Sequence, residues 1–301
     1  MGASDGRFAP SPTGELHLGN LRTALLAWLF ARRASARFIV RMEDLDRATS
    51  SLAHEQAQLR DLRLIGLDWD GPVVRQSDRF ALYRDAIATL DARGLVYRCY
   101  CTRREIREAA SAPNDVTIGT YPGTCRQLSA TQRASHERQG RPPALRVRTD
   151  GESVSFVDRL HGQCQRGVDD VVLCRNDGVP AYNLAVVVDD DAQGVGEVVR
   201  GSDLLESTSR QVHLIGLLGL RLPSYMHVPL VVAADGTRLA KRHGAVTLER
   251  LAQLGRTVND VRTMLATSIG FDATDAGGSP QQLVAGFDEL ALPRAAWVYS
   301  A

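Results

Sequence analysis

His17 follows the turn-forming run Pro10-Ser11-Pro12-Thr13-Gly14 and opens the apolar stretch that begins at Leu18. A histidine where a strand, a Pro/Gly turn and a helix meet can donate a hydrogen bond to a phosphate as charge builds on it. The free N–H groups of a helix start favour the same anion. Gly19 has no side chain to hold a nucleotide off the backbone. Pro10, Thr13, Gly14 and Asn20 complete the segment that would cradle it. A plain strand-to-helix turn with a surface histidine has the same local pattern, so the segment needs a second signal.

That signal is Lys241. The chain has 35 arginines and one lysine. A compositional bias that replaced Lys by Arg wherever either serves would spare a lysine only where a compact charge on a flexible stem is needed. Lys241 lies in Arg238-Leu239-Ala240-Lys241-Arg242-His243-Gly244, after the turn at Asp235-Gly236. A mobile basic loop there would close over a triphosphate and stabilise the leaving pyrophosphate.

The chain's 301 residues suit one large domain with an insertion, or two domains, and 44% hydrophobic with 24% charged residues is an ordinary globular composition. A net charge of +1 gives no bulk argument for a nucleic-acid partner; arginine pairs such as Arg32-Arg33 and Arg103-Arg104 are the local candidates. The apolar runs are too short for a membrane span and residues 1–6 carry no secretory pattern, so a cytoplasmic enzyme is expected. Five cysteines, an odd number, argue against a disulfide framework.

Patterning predicts strands at 37–42, 144–149, 181–188, 197–200 and 227–232, and helices at 21–34, 52–65, 207–219 and from a cap at Ser77 to Gly94. Helices alternating with short apolar strands make this an α/β chain with a parallel sheet. Residues 98–180, rich in Cys, Gly and Pro, form an expected inserted α+β module between two catalytic stretches, 1–97 and 181–243. Residues 244–301 form a short helical tail.

His17-Leu18-Gly19-Asn20 and residues 238–242 resemble the two signatures of class I aminoacyl-tRNA synthetases. Residues 7–14, Arg41-Met42-Glu43-Asp44-Leu45-Asp46, Tyr182-Asn183-Leu184-Ala185 and Arg200-Gly201-Ser202-Asp203 resemble the glutamyl-tRNA synthetases within that class. The likeness runs from about residue 7 to about residue 245. Asn20, Arg238 and Ala240 depart from the signatures; loss of a hydroxyl at Ala240 should weaken loop closure without abolishing chemistry. The resemblance implies a Rossmann-like catalytic domain that activates L-glutamate with ATP and Mg²⁺, with His17 and Lys241 acting on the phosphates. It puts Arg7 and Arg200 on the γ-carboxylate, Glu43 on the α-ammonium, and Ser11 and Tyr182 as neutral partners. Fixed positive charge would reject glutamine, whose amide cannot repay the desolvation of an arginine.

Cys99, Cys101 and Cys125 supply three ligands of a tetrahedral structural zinc site. In similar short synthetases the fourth is a tyrosine, which matches Tyr121; His136 and Cys164 are rivals. Cys164 and Cys174 are otherwise structural. Only 59 residues follow Arg242, too few for an anticodon-binding domain. This resembles the glutamyl-Q tRNA(Asp) synthetases, which place glutamate on queuosine in the anticodon loop of tRNA(Asp). A conventional synthetase charging the tRNA 3′ end, or a non-catalytic RNA- or nucleotide-binding paralogue, are the alternatives. A monomer is expected.

Overall fold

The computed structural model describes residues 4–102, 104–106, 121–237, 239, 246–272 and 278–299. β1 (Asp5–Phe8) leads through α1 (Leu18–Arg33) to β2 (Phe38–Met42), and α2 (Leu52–Leu64) leads on to β3 (Val74–Arg75). After α3 (Phe80–Ala92) come β4 (Val96–Cys99), α4 (Ala130–Arg138), β5 (Ala144–Val147), β6 (Ser153–Asp158), β7 (Gly162–Gly167) and β8 (Val172–Cys174). α5 (Tyr182–Ala192) precedes β9 (Val195–Gly201), α6 (Leu205–Leu218), β10 (Ser224–Val228) and β11 (Val231–Val232). The final part holds α7 (Leu248–Gln253), α8 (Val258–Thr267), α9 (Pro280–Gly286) and β12 (Trp297–Val298).

Seven strands form the main sheet in the order β3-β2-β1-β9-β10-β6-β7, parallel throughout except for the β6–β7 hairpin. Parallel neighbours require crossovers, and α1, α2 and α6 supply them. From β1 the chain winds outward to β2 and β3; from β9 it winds the other way to β10. The β1–β9 boundary is therefore a topological switch point, where a crevice opens beyond the carboxyl ends of the strands. This is the Rossmann-like α/β fold with a mostly parallel sheet.

α1 is the central helix. Leu18, Leu21, Leu25, Leu26, Trp28 and Leu29 are all buried, so its apolar surface extends well beyond one stripe. It packs between the sheet and the C-terminal helices: Leu251, Val261, Leu265, Ile269 and Phe287 share its core. Residues 246–299 thus share the catalytic core. Arg22, fully buried in α1, reinforces this by donating to the Ser268 hydroxyl and carbonyl and to the Pro229 carbonyl.

Several sequence expectations change. Residues 181–188 are not a strand: from Tyr182 onward they are α5, enclosed by α3, α6, β8 and β9. Enclosure on all sides makes a buried helix read like a buried strand, and its valines follow tertiary packing over local preference. Ser77 does not cap α3; it lies in a 3₁₀ turn and its hydroxyl donates to Asp44 Oδ2 at 2.6 Å. The strand expected over 227–232 breaks after Val228, and β11 leaves the main sheet to pair with β12. Residues 98–180 divide: β4, β5 and β8 make a separate sheet, whereas β6 joins β10 in the main one at Asp158–Tyr225.

Asp189 ties these layers together. Its fully buried carboxylate accepts from Gln76 Nε2 (2.9 Å), Arg79 Nε (2.6 Å) and Tyr83 Oη (2.7 Å), and lies 3.7 Å from Arg41 Nε. Removing one member of such a network strands the others without water. Asp189→Ala should lower unfolding free energy by about 3–5 kcal/mol in urea titrations; a loss under about 1 kcal/mol would contradict this role.

Candidate active site

The crevice at the switch point has a volume of about 500 Å³. Arg7, Ser11, Glu43, Tyr182 and Arg200 all line it, as do Pro10, Thr13, Gly14, His17, Gly19 and Asn20. Leu239 also lines it; Lys241, with Arg238 and residues 240–245, lies outside the described residues. Strand ends explain the convergence. Arg7 sits near the end of β1 and Arg200 near the end of β9, while Glu43 directly follows β2. Tyr182 begins α5, and its phenol is held above its ordinary pKa chiefly by burial.

The turn before α1 is braced from below. Gln58 of α2 donates to the Ser11 carbonyl (3.0 Å) and the Gly14 carbonyl (2.7 Å). Glu43 N donates to the Pro10 carbonyl at 2.9 Å, which fixes the loop against β2.

His17 is the N-cap of α1. Its Nδ1 accepts from Gly19 N at 3.1 Å and from Asn20 N at 3.3 Å, while Asn20 Oδ1 accepts from His17 N at 3.1 Å. This reciprocal capping box gives Asn20 a structural task. It also corrects the expectation of free amides for a phosphate. Leu18 N donates to the Val246 carbonyl and Leu21 N to the His17 carbonyl, so the first four helical amides are all engaged. With Nδ1 accepting, the imidazole proton resides on Nε2, and the donor offered to an anion is the side chain, assisted by the helix dipole. Gly19 matters for a different reason than expected: a Cβ there would stand 2.9 Å from His17 Cε1, so glycine lets the ring fold back on its own helix.

Charge is arranged asymmetrically across the crevice. Arg7 Nε lies 3.3 Å from Asp190 Oδ1, and Arg41 Nη1 lies 2.8 Å from the same oxygen. Arg41 Nη2 is 3.4 Å from Glu43 Oε1. Burial pushes the Glu43 carboxyl up, against the pull of Arg41 and Arg7. Burial would raise Asp190 too, but Arg7 and Arg41 outweigh it and hold it below the usual carboxylate range. Arg200 is arranged otherwise. It is 5% exposed and, among the described residues, has no carboxylate partner. Nε donates to His227 Nε2 (3.0 Å); Nη2 donates to Thr208 Oγ1 (2.8 Å) and Gln211 Oε1 (2.7 Å). Nη1 is buried with no hydrogen-bond partner. A buried N–H pair left open in a binding crevice is a site for a ligand acceptor.

Sequence reasoning missed Arg41, Gln58, Asp190, Gln211 and His227. A detectable signal existed for Asp190: charged residues directly after an apolar run usually end it at the surface, yet here they continue a buried helix. Gln58 and His227 carried no signal, because their partners are distant in sequence.

A second cluster lies on the small sheet. The sulfur atoms of Cys99, Cys101 and Cys125 all lie within 4.8 Å of one another. Tyr121 Oη is 3.4 Å from Cys99 Sγ and 4.0 Å from Cys101 Sγ, and Cys101 and Cys125 sulfurs are 3.4 Å apart, unbonded. The group is buried and could hold a metal ion. Of the rival ligands, His136 stacks on Tyr100 (centroids 4.9 Å apart), outside this cluster, and Cys164 lies on β7 in the other sheet. Hydrogen bonds from Cys101 and Cys125 make Cys99 the most acidic of the three thiols. The Arg146 guanidinium lies 3.8 Å from the Tyr121 ring centroid, a position that favours negative charge on that ring.

Comparison with known proteins adds an independent line. The family of tRNA synthetases class I (E and Q), catalytic domain, matches residues 5–271. A glutamyl-Q tRNA(Asp) synthetase of Nocardia farcinica is 57% identical over 97% of this chain and 92% of its own length. A glutamate–tRNA ligase of Geobacter sulfurreducens is 42% identical over 83% of this chain, but the match covers 53% of that protein. The crystal structure of a glutamate tRNA ligase from Elizabethkingia meningosepticum, in complex with its amino acid, superposes with a TM-score of 0.83 at 26% identity, covering 99% of this chain and 67% of that one.

Proposed function

The chain belongs to the class I glutamyl- and glutaminyl-tRNA synthetase family, and we propose that it activates L-glutamate with ATP and Mg²⁺, without tRNA, and passes it to the queuosine base in the anticodon loop of tRNA(Asp). The observation that carries the first half is the open Nη1 of Arg200 in a crevice that also presents Arg7 and Glu43. Glutamate has two carboxylates and one ammonium. Arg200 and Arg7 meet the γ-carboxylate and Glu43 the α-ammonium, with Ser11 and Tyr182 as neutral partners. The α-carboxylate is then left to attack the α-phosphorus of ATP. The new O–P bond forms as the bond to the pyrophosphate oxygen breaks, and pyrophosphate leaves with the electron pair. His17 donates from Nε2 to the phosphates; Pro10, Thr13, Gly14, Gly19 and Asn20 shape the wall beside them; Lys241 neutralises the leaving group. Such catalysis is positioning and charge stabilisation.

In the second step a hydroxyl of the queuosine cyclopentene-diol attacks the glutamyl carbonyl and AMP departs. Two matches support this acceptor: nearly full-length correspondence with a protein named for it, against about half the length of the ligase. Cys99, Cys101, Cys125 and Tyr121 form a four-donor set that suits one structural zinc ion, which would hold the segment around Tyr121 against β4.

Two outcomes are expected. Wild-type protein should catalyse glutamate-dependent ATP–pyrophosphate exchange without tRNA, then label an anticodon-loop fragment of queuosine-containing tRNA(Asp) and leave queuosine-free tRNA(Asp) unlabelled. Label on the 3′-terminal adenosine would contradict the acceptor. Metal analysis of the purified protein should find about one zinc per chain, lost in Cys99→Ser; folded, active protein free of zinc would end the metal assignment.

A further inference from the structure

Arg200 is held by an unusual partner. The acceptor of its Nε–H is a histidine nitrogen, and histidine accepts there only in one of its forms. His227 is fully buried. Its Nδ1 lies 2.7 Å from Asp158 Oδ2, and its own backbone N donates to the same oxygen at 3.0 Å. Asp158 Oδ1 accepts from Leu160 N and His161 N, both at 3.0 Å. Every group that faces Asp158 in these contacts is a donor. The carboxylate therefore demands a proton on His227 Nδ1 and leaves Nε2 as an acceptor. Nε2 meets Arg200 Nε at 3.0 Å and Thr208 Oγ1 at 3.0 Å. A proton on Nε2 would set two N–H donors against each other and displace the guanidinium. The ring stacks beside Tyr225, over which Arg200 also lies, so little sideways adjustment is open.

We propose that Asp158 and His227 are a positioning pair that fixes the Arg200 guanidinium and so aims its open Nη1 at the substrate carboxylate. The inference rests on the reading of the crevice as a glutamate site. It gives the β6–β7 hairpin a role at the site: Asp158 sits at the end of β6, where that strand meets β10. Burial holds His227 below its ordinary pKa, in keeping with a neutral ring.

A pair of substitutions separates positioning from simple packing. In His227→Gln the side-chain oxygen reaches the place of Nε2 and accepts from Arg200; in His227→Asn it stops short. Both lose the donor to Asp158, so both lose similar thermal stability. Glutamate KM in the exchange reaction should rise about tenfold or more in His227→Asn and stay within about threefold of wild type in His227→Gln, with ATP KM steady in both. Combined with Arg200→Leu, the two His227 variants should no longer differ. Equal glutamate KM in the two single variants, or ATP KM rising in step, would overturn the positioning role while leaving glutamate activation in place. If wild type shows no glutamate-dependent exchange, the crevice reading fails and the inference falls with it.

Discussion

A guanidinium taken out of water needs acceptors for its N–H groups and some compensation for its charge. Arg7 and Arg41 obtain both from Asp190, Glu43 and neighbouring acceptors. Arg200 obtains only neutral acceptors, and its Nη1 stays open. The rest of the crevice can be understood from that imbalance. A carboxylate arriving at Arg200 supplies the missing charge and the missing acceptor together; an amide supplies an acceptor alone. Selectivity for glutamate over glutamine then comes from an electrostatic deficit built into the empty protein.

The fold exists to hold that deficit still. Parallel strands reversing direction of winding between β1 and β9 open the crevice, and they bring Arg7 and Arg200 to neighbouring strands. The acidic pair at the end of α5 locks the floor: Asp190 grips Arg7 and Arg41, while Asp189 ties α5 to Gln76, Arg79 and Tyr83. α1 contributes the opposite wall. By closing its own first turn with His17 and Asn20, it leaves a side-chain donor in place of backbone amides.

Much of the site was legible in the sequence because chemistry limits residue choice there. The histidine after a Pro/Gly turn, the arginines at strand ends and the Cys-x-Cys pair were found from type and spacing, and the crevice gathers the described members of the glutamate and nucleotide sets. Lys241 remains a sequence-level assignment. What was illegible depends on distant partners. No local pattern reveals that Gln58 braces the turn at residues 11–14, or that Asp158 from the middle of the chain determines which nitrogen of His227 carries a proton. The apolar run at 184–188 misled for a related reason: a helix buried on every side loses the periodicity by which helices are recognised.

Because the account turns on an uncompensated charge, its sharpest test is discrimination by charge alone. Initial rates of ATP–pyrophosphate exchange with L-glutamate and with L-glutamine, over a range of each and without tRNA, give the ratio of kcat/KM. The account predicts a preference for glutamate of roughly 10³ or more. Comparable kcat/KM for the two amino acids would contradict it.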